Sequence, residues 1–204
     1  MSTKSSRRAL GPALWLVGVI VALVLPASAA AAVETFHRFE VDATANFTLV
    51  EQCDNGSTAT TRVTVIGGHE EESESGETTL DSDFLTVLIR GFDCDFNLIN
   101  DRGSGPAAFE FSPSLQTASV TGTITTRDGH SVTVDMSWEG TGPIEATSNT
   151  TIFPGFTGHF QGMERDAVAT GTVLVDGATL IDGSTTNAQI ETLEDTNTRT
   201  PSGG

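Results

Sequence analysis

Apolar and polar residues alternate along most of this 204-residue chain, most clearly in residues 114–139. Each flank of this segment has an apolar or small residue at every second position: Ala118, Val120, Gly122 and Ile124 in the first flank, and Val132, Val134, Met136 and Trp138 in the second. A period of two is typical of β-strands. A three-residue loop over 127–129, with Gly129 in the left-handed conformation, places Ile124 opposite Val132 and Ala118 opposite Trp138. We therefore predict an antiparallel hairpin with one fully apolar face.

Similar alternation and short turns recur along the chain, without a convincing amphipathic helix. The Asp176-Gly177 turn, for example, predicts a hairpin with Val175 opposite Ala178 and Val173 opposite Leu180. The fold class predicted is all-β, an antiparallel up-and-down barrel-like meander of about 10–12 strands. Glycines within strands, such as Gly171, favour a sheet that bends or approaches another backbone. A two-sheet β-sandwich is the alternative, because both architectures contain hairpins between adjacent strands.

The first 32 residues have the pattern of a secretory signal peptide. Basic residues precede an apolar run over 14–25, and small residues follow it. The run is shorter than the roughly 20 residues of a membrane span. Ser6-Arg7-Arg8 also resembles the start of a twin-arginine signal, so export by the general secretory or the twin-arginine route is predicted. Residues 33–193 are predicted to form a single antiparallel β domain, and residues 194–204 a disordered tail.

Removal of this segment leaves seven arginines, no lysine and all 27 acidic residues, a net charge of −20. Such a chain would be repelled by nucleic acid and by anionic membrane surfaces, so neither is expected as a partner. Residues 69–83 alone contain seven carboxylates. We predict a solvated loop or hairpin tip there, with a weak calcium site as the functional alternative.

Cys53 and Cys94 are the two cysteines of the chain. Two cysteines in an exported protein most simply form a disulfide. The bridge closes a loop of about 40 residues, which corresponds to roughly 4 kcal/mol of stabilisation on chain-entropy grounds.

Aromatic and large apolar residues supply the candidate ligand site. Trp138 is predicted to lie in the core, but a barrel with a partly open lumen would make it part of an apolar pocket. The residues predicted to line this pocket are Trp138, Met136, Phe109, Phe111 and Phe160. The ligand expected there is a small apolar molecule.

No motif for a catalytic nucleophile, a phosphate, a metal or a cofactor occurs in the sequence. The sequence therefore predicts a secreted, acidic, non-enzymatic β-domain that binds a small apolar ligand or serves as an extracellular interaction protein. The alternative is a small β-barrel enzyme of the isomerase or cyclase type, with Arg165, His159 or Glu164 near the barrel mouth. The pattern does not specify an oligomeric state.

Overall fold

The structure is a computed structural model that describes residues 33–200. The predicted signal peptide and residues 201–204 lie outside this range. The described chain forms ten β-strands: β1 (Glu34–Gln52), β2 (Thr58–Glu74), β3 (Glu77–Phe92), β4 (Leu98–Pro106), β5 (Ala108–Phe111), β6 (Thr117–Thr125), β7 (Ser131–Gly140), β8 (Glu145–Phe153), β9 (Phe156–Val175) and β10 (Ala178–Arg199). No helix long and apolar enough to cross a bilayer occurs between residues 33 and 200. The all-β prediction, with about this number of strands, is confirmed.

All ten strands belong to one antiparallel sheet, in which nine follow the order β4-β3-β2-β1-β10-β9-β7-β6-β5 and β8 pairs with β9 off this path. The first half of β9 pairs with β8 and the second half with β7. Pairing of β1 with β10 joins the two ends of the described chain. The outer regions of the sheet approach each other where Gly103 of β4 bridges Thr126, just after β6. One bridge is not a closing ladder, so the sheet is barrel-like but not closed.

The hairpin of β6 and β7 has the register predicted from the sequence. Ile124 pairs with Val132, and Ala118 pairs with Trp138. Gly129, the last residue of the three-residue loop, has a φ of 92°. A one-residue slip would have turned every apolar side chain of this hairpin to the other face, which explains why the alternation specifies the pairing so strongly.

Two predictions near the C-terminus are wrong. Val175 does pair with Ala178, but Val173 pairs with Ile181 instead of Leu180, because a register shift follows Thr179. An extra residue of this kind has no signal in the alternation. Residues 194–199, predicted to begin a disordered tail, continue β10 to Arg199 and pair with both β1 and β9. This polar segment has no apolar face to bury. Backbone hydrogen bonds to β1 and β9 hold it in the sheet.

The core lies on the inward face of the curled sheet. Its largest fully buried side chains are Trp138, Leu85, Leu115, Met136 and Ile190. Burying an apolar side chain of this size contributes about 1.5–3 kcal/mol. The opposite face of the same strands holds most of the charged residues, and it is there that the candidate site lies.

Candidate functional site

Four acidic residues lie directly opposite one another across four neighbouring strands. Asp42 of β1 pairs with Glu191 of β10, Glu191 pairs with Glu164 of β9, and Glu164 pairs with Glu145 of β8. Directly opposite residues share a face, with Cβ atoms about 5 Å apart. We call these four residues the carboxylate row. Val41 and Ile190, the neighbours of Asp42 and Glu191, are fully buried, which places the row on the outward face of the sheet.

The carboxylate row lines a groove of about 350 Å³, which we call the acidic groove. Phe160, Gly162 and Leu193 also line it, so part of its surface is apolar. Leu193 pairs with both Gly162 and Glu40, and this second row runs parallel to the first. The complete lining consists of Glu40, Asp42, Glu145, Thr147, Phe160, Gly162, Met163, Glu164, Glu191, Thr192 and Leu193. The groove therefore combines a high density of negative charge with an apolar contact surface.

Burial and mutual repulsion alter the acidity of the row. Burial, followed by the nearby charges of Glu40 and Glu191, raises the pKa of Asp42 from 3.8 to about 7. Its Oδ1 atom is shielded from solvent and has no hydrogen-bond partner within residues 33–200. Burial and the charges of Glu164 and Glu40 likewise raise the pKa of Glu191. At neutral pH Asp42 is thus divided between its protonated and ionised forms.

Arg38 is the basic residue beside the groove. Its Nη2 atom lies 2.7 Å from Glu70 and 3.0 Å from Glu40, and its Nε atom lies 3.8 Å from Glu72. Its charge lowers the pKa of Asp42, against the larger effects of burial and the acidic neighbours. One guanidinium shared among three carboxylates leaves this face strongly negative.

The segment 69–83, expected as a solvated loop or hairpin tip, forms the turn end of the β2–β3 hairpin, with Ser75 and Gly76 at its turn. Its carboxylates alternate between the two faces of the strands, and Glu70 and Glu72 face Arg38. Within residues 33–200, no group of three or more His, Cys, Asp or Glu residues is arranged to hold a metal ion.

The five residues predicted to line an apolar pocket do not meet at one site. Trp138 and Met136 are each 1% exposed and belong to the core, as does Phe109. The indole nitrogen of Trp138 donates a hydrogen bond of 2.9 Å to the backbone oxygen of Thr44. The expectation that Trp138 is a core residue is therefore confirmed.

Phe111 and Phe160 occupy two different places. Phe111 is half-buried in an aromatic cluster with Phe39, Phe109 and His69, at ring-centroid distances of 6.1–6.5 Å. His69 contacts Asp83 through its Nδ1 atom at 2.8 Å. Phe160 lies on β9 and lines the acidic groove. Of the five predicted residues, Phe160 is thus the one that contributes to the groove.

The three residues considered for an enzyme, Arg165, His159 and Glu164, also lie apart. Glu164 is on the groove face, whereas Arg165 and His159 project from the other face of β9. Arg165 and His159 are six residues apart on one strand, about 20 Å. His159 contacts Thr150 and Gln161, and Arg165 contacts Gln116. The geometry brings no two of them to a common reacting point.

The disulfide between Cys53 and Cys94 is present, as predicted. It links the β1–β2 turn to the β3–β4 turn. A disulfide fits an oxidising compartment, in agreement with the export predicted from the N-terminal sequence.

The carboxylate row was not predicted from the sequence, because its members come from four strands spread over residues 42–191. A weak signal was available: each member stands at a polar position of an alternating strand. Comparisons with protein-family models, with curated proteins and with solved structures found no match.

Proposed function

We propose that this protein is a secreted, non-enzymatic binding protein that holds a cationic ligand with an apolar part in the acidic groove. The observation that supports this most directly is the carboxylate row. Like charges directly opposite each other destabilise a sheet, and here they recur at three successive strand pairs. Breaches of local rules of this kind are concentrated at functional sites.

The groove fits an ammonium or guanidinium group attached to a small apolar body. A cation would relieve the repulsion within the row and favour ionisation of Asp42 and Glu191. Phe160 offers an aromatic face for a cation, and Leu193 adds apolar contact. The proposed ligand thus has a positive charge in addition to the apolar part expected from the sequence.

Export and charge agree with such a role. The predicted signal peptide and the Cys53–Cys94 bridge support an extracellular location, by the general secretory or the twin-arginine route. A net charge of −20 in the exported chain draws cations toward the surface and disfavours nucleic acid and anionic membranes. The separation of Arg165, His159 and Glu164 favours a binding role over the enzyme alternative.

The test is an NMR titration of the oxidised exported chain with phenethylamine, and with the neutral 2-phenylethanol as its matched control. We expect phenethylamine to shift the amide signals of Glu164 and Glu191 saturably at pH 8, and the alcohol to leave them unchanged. Glu191→Gln should weaken the effect. Glu139→Gln, an exposed carboxylate outside the groove, should not. Equal shifts with the alcohol, or none with the amine, would overturn the proposal.

A further inference from the structure

Strand β8 has an unpaired edge beside the acidic groove. It pairs with β9 on one side, and no strand within residues 33–200 pairs with its other side. All of its residues except Thr151 are exposed. An open edge of this kind is a template for another strand unless it is protected by Lys, Pro or a bulge. The sequence of β8 contains neither residue, and its register with β9 is continuous.

The turn between β8 and β9 determines which backbone groups face outward. Phe153 pairs with Phe156 across the two-residue loop of Pro154 and Gly155. The pair that closes such a loop is hydrogen-bonded, and bonded pairs alternate along an antiparallel ladder. The N–H and C=O groups that point to the free edge are therefore those of Ala146, Ser148, Thr150 and Ile152. These four residues could bond a strand of complementary register.

The two faces beside this edge differ in chemistry. The groove face presents Glu145, at the end of the carboxylate row, with Glu164 on the next strand. Phe153, 62% exposed, shares this face at the β8–β9 turn, and the other face presents Ile152, 72% exposed. Side chains of an added strand alternate between the faces. A complementary strand would therefore have basic side chains on the groove face, near Glu145, and apolar side chains on the face of Ile152.

We propose that β8 binds an extended basic peptide segment as an additional antiparallel strand, with Lys or Arg side chains on the groove face directed to Glu145 and the acidic groove. This inference rests on the proposed function, since it identifies the cationic ligand as a peptide. Backbone hydrogen bonds to an edge provide affinity in this mode, and alternate side chains provide specificity. Charge selects such a partner over a second copy of this chain, because two chains of −20 repel each other.

The experiment compares two labelled nine-residue peptides by fluorescence anisotropy with the oxidised exported chain. In both peptides lysine alternates with valine and threonine. In the control peptide the valine and threonine nitrogens are methylated, which keeps every charge but removes the donors that face β8. We expect the control to bind about tenfold more weakly, the equivalent of one or two net hydrogen bonds. Ser148→Pro, which removes an outward N–H of the edge strand, should weaken the unmethylated peptide alone.

Hydrogen exchange of the unmutated protein gives a second readout that does not depend on the folding of a variant. The unmethylated peptide should slow exchange at Ala146, Ser148, Thr150 and Ile152. Equal affinity of the two peptides, with no slowing at these amides, would overturn strand addition. If phenethylamine still binds in that case, the proposed function stands without it. If neither the amine nor the peptides bind, the proposed function fails as well.

Discussion

Asp42 on β1 and Glu191 on β10 lie directly opposite each other, and burial raises the pKa of both carboxyls. They are brought together by the pairing of the first and last described strands. The acidic groove therefore forms only when both ends of the domain are in the sheet. This arrangement couples the charge of the groove to folding, and it allows the titration of Asp42 to be followed as a change in stability.

The first prediction concerns the pH dependence that Asp42 imposes on stability. Because its pKa rises from 3.8 to about 7 on folding, the folded state favours the protonated carboxyl. This contribution is fully present below pH 3.8 and is lost as the pH rises to about 7. Asp42→Asn removes it. Between pH 4 and pH 7 we therefore expect the free energy of urea unfolding of the unmutated protein to fall relative to that of the variant.

Asp135→Asn is the matched control, since Asp135 is exposed on β7. Its difference from the unmutated protein should stay constant over the same pH range. A constant difference for Asp42→Asn would show that the carboxyl is not perturbed.

The second prediction concerns Arg38, whose charge lowers the pKa of Asp42. Arg38→Gln leaves Glu40 and Glu70 without their counter-ion. Half-exposed ion pairs contribute little individually, so we expect a loss of about 1 kcal/mol in unfolding free energy at pH 8 and less at pH 5. The titration midpoint of Asp42, followed by carboxyl NMR, should move upward. Arg90→Gln, at an exposed position of β3, should change neither quantity; an unchanged midpoint in Arg38→Gln would contradict the prediction.

The third prediction concerns Asp101, which joins β4 to the β6–β7 loop. Its Oδ1 atom accepts hydrogen bonds from the backbone N–H groups of Arg102 at 2.8 Å and Asp128 at 3.2 Å. Burial tends to raise the pKa of Asp101, but hydrogen bonds from Thr126, Asp128 and Arg102 outweigh it and hold the pKa below 3.8. This contribution is present above pH 3.8 and is lost as the pH falls through the lower, folded pKa.

Asp101→Ala should therefore cost about 1–3 kcal/mol of unfolding free energy at pH 7. The cost should shrink in acid, the opposite direction to Asp42. Urea unfolding at pH 7 and pH 3 measures both values, with exposed Asp182→Ala as the control. A cost that is equal at the two pH values would mean that the charge of Asp101 has no role.

The fourth prediction concerns the disulfide, which spans 41 positions of the sequence. Cross-linking residues at that separation restricts the unfolded chain by about 4 kcal/mol. We expect the Cys53→Ala/Cys94→Ala variant to lose stability by that order in urea unfolding. Titration with phenethylamine should give the same affinity, because the bridge lies in turns away from the groove. A loss of binding in a folded variant would place the bridge in the site.

The β6–β7 hairpin shows how much of this fold the sequence specifies. Ala118 and Trp138 are paired by the alternation on both strands and by the single turn that matches the two apolar faces. The β9–β10 hairpin was predicted at Val175 and Ala178 but not beyond Thr179, because a register shift is invisible to alternation. The alternation predicts the pairing of strands that have an apolar face. It does not predict segments that backbone pairing alone holds in the sheet.

The groove could not be predicted, because it depends on pairing between distant strands. Asp42 meets Glu191 only through the β1–β10 register, and Glu191 meets Glu164 only beyond a second register shift, between Thr185 and Ala188. A slip of one residue there would turn Glu191 away from the other carboxyls. In sequence each is one polar position among many.

The last prediction concerns Gly171, which lies opposite Met136 in the β7–β9 ladder. A Cβ atom at this position would collide with the backbone oxygen of Asp135 and would lie 2.7 Å from the Cα atom of Met136. Both obstacles are backbone, so no side-chain rotation relieves the contact, and the two strands would have to separate beside the core. Gly171→Ala should therefore destabilise the fold by about 1–3 kcal/mol or more. Urea unfolding monitored by the emission of Trp138 measures this loss. Thr170→Ala, at the adjacent exposed position, should stay within about 0.5 kcal/mol of the unmutated protein. Equal stability of the two variants would mean that β7 and β9 are not packed as closely as the structure places them.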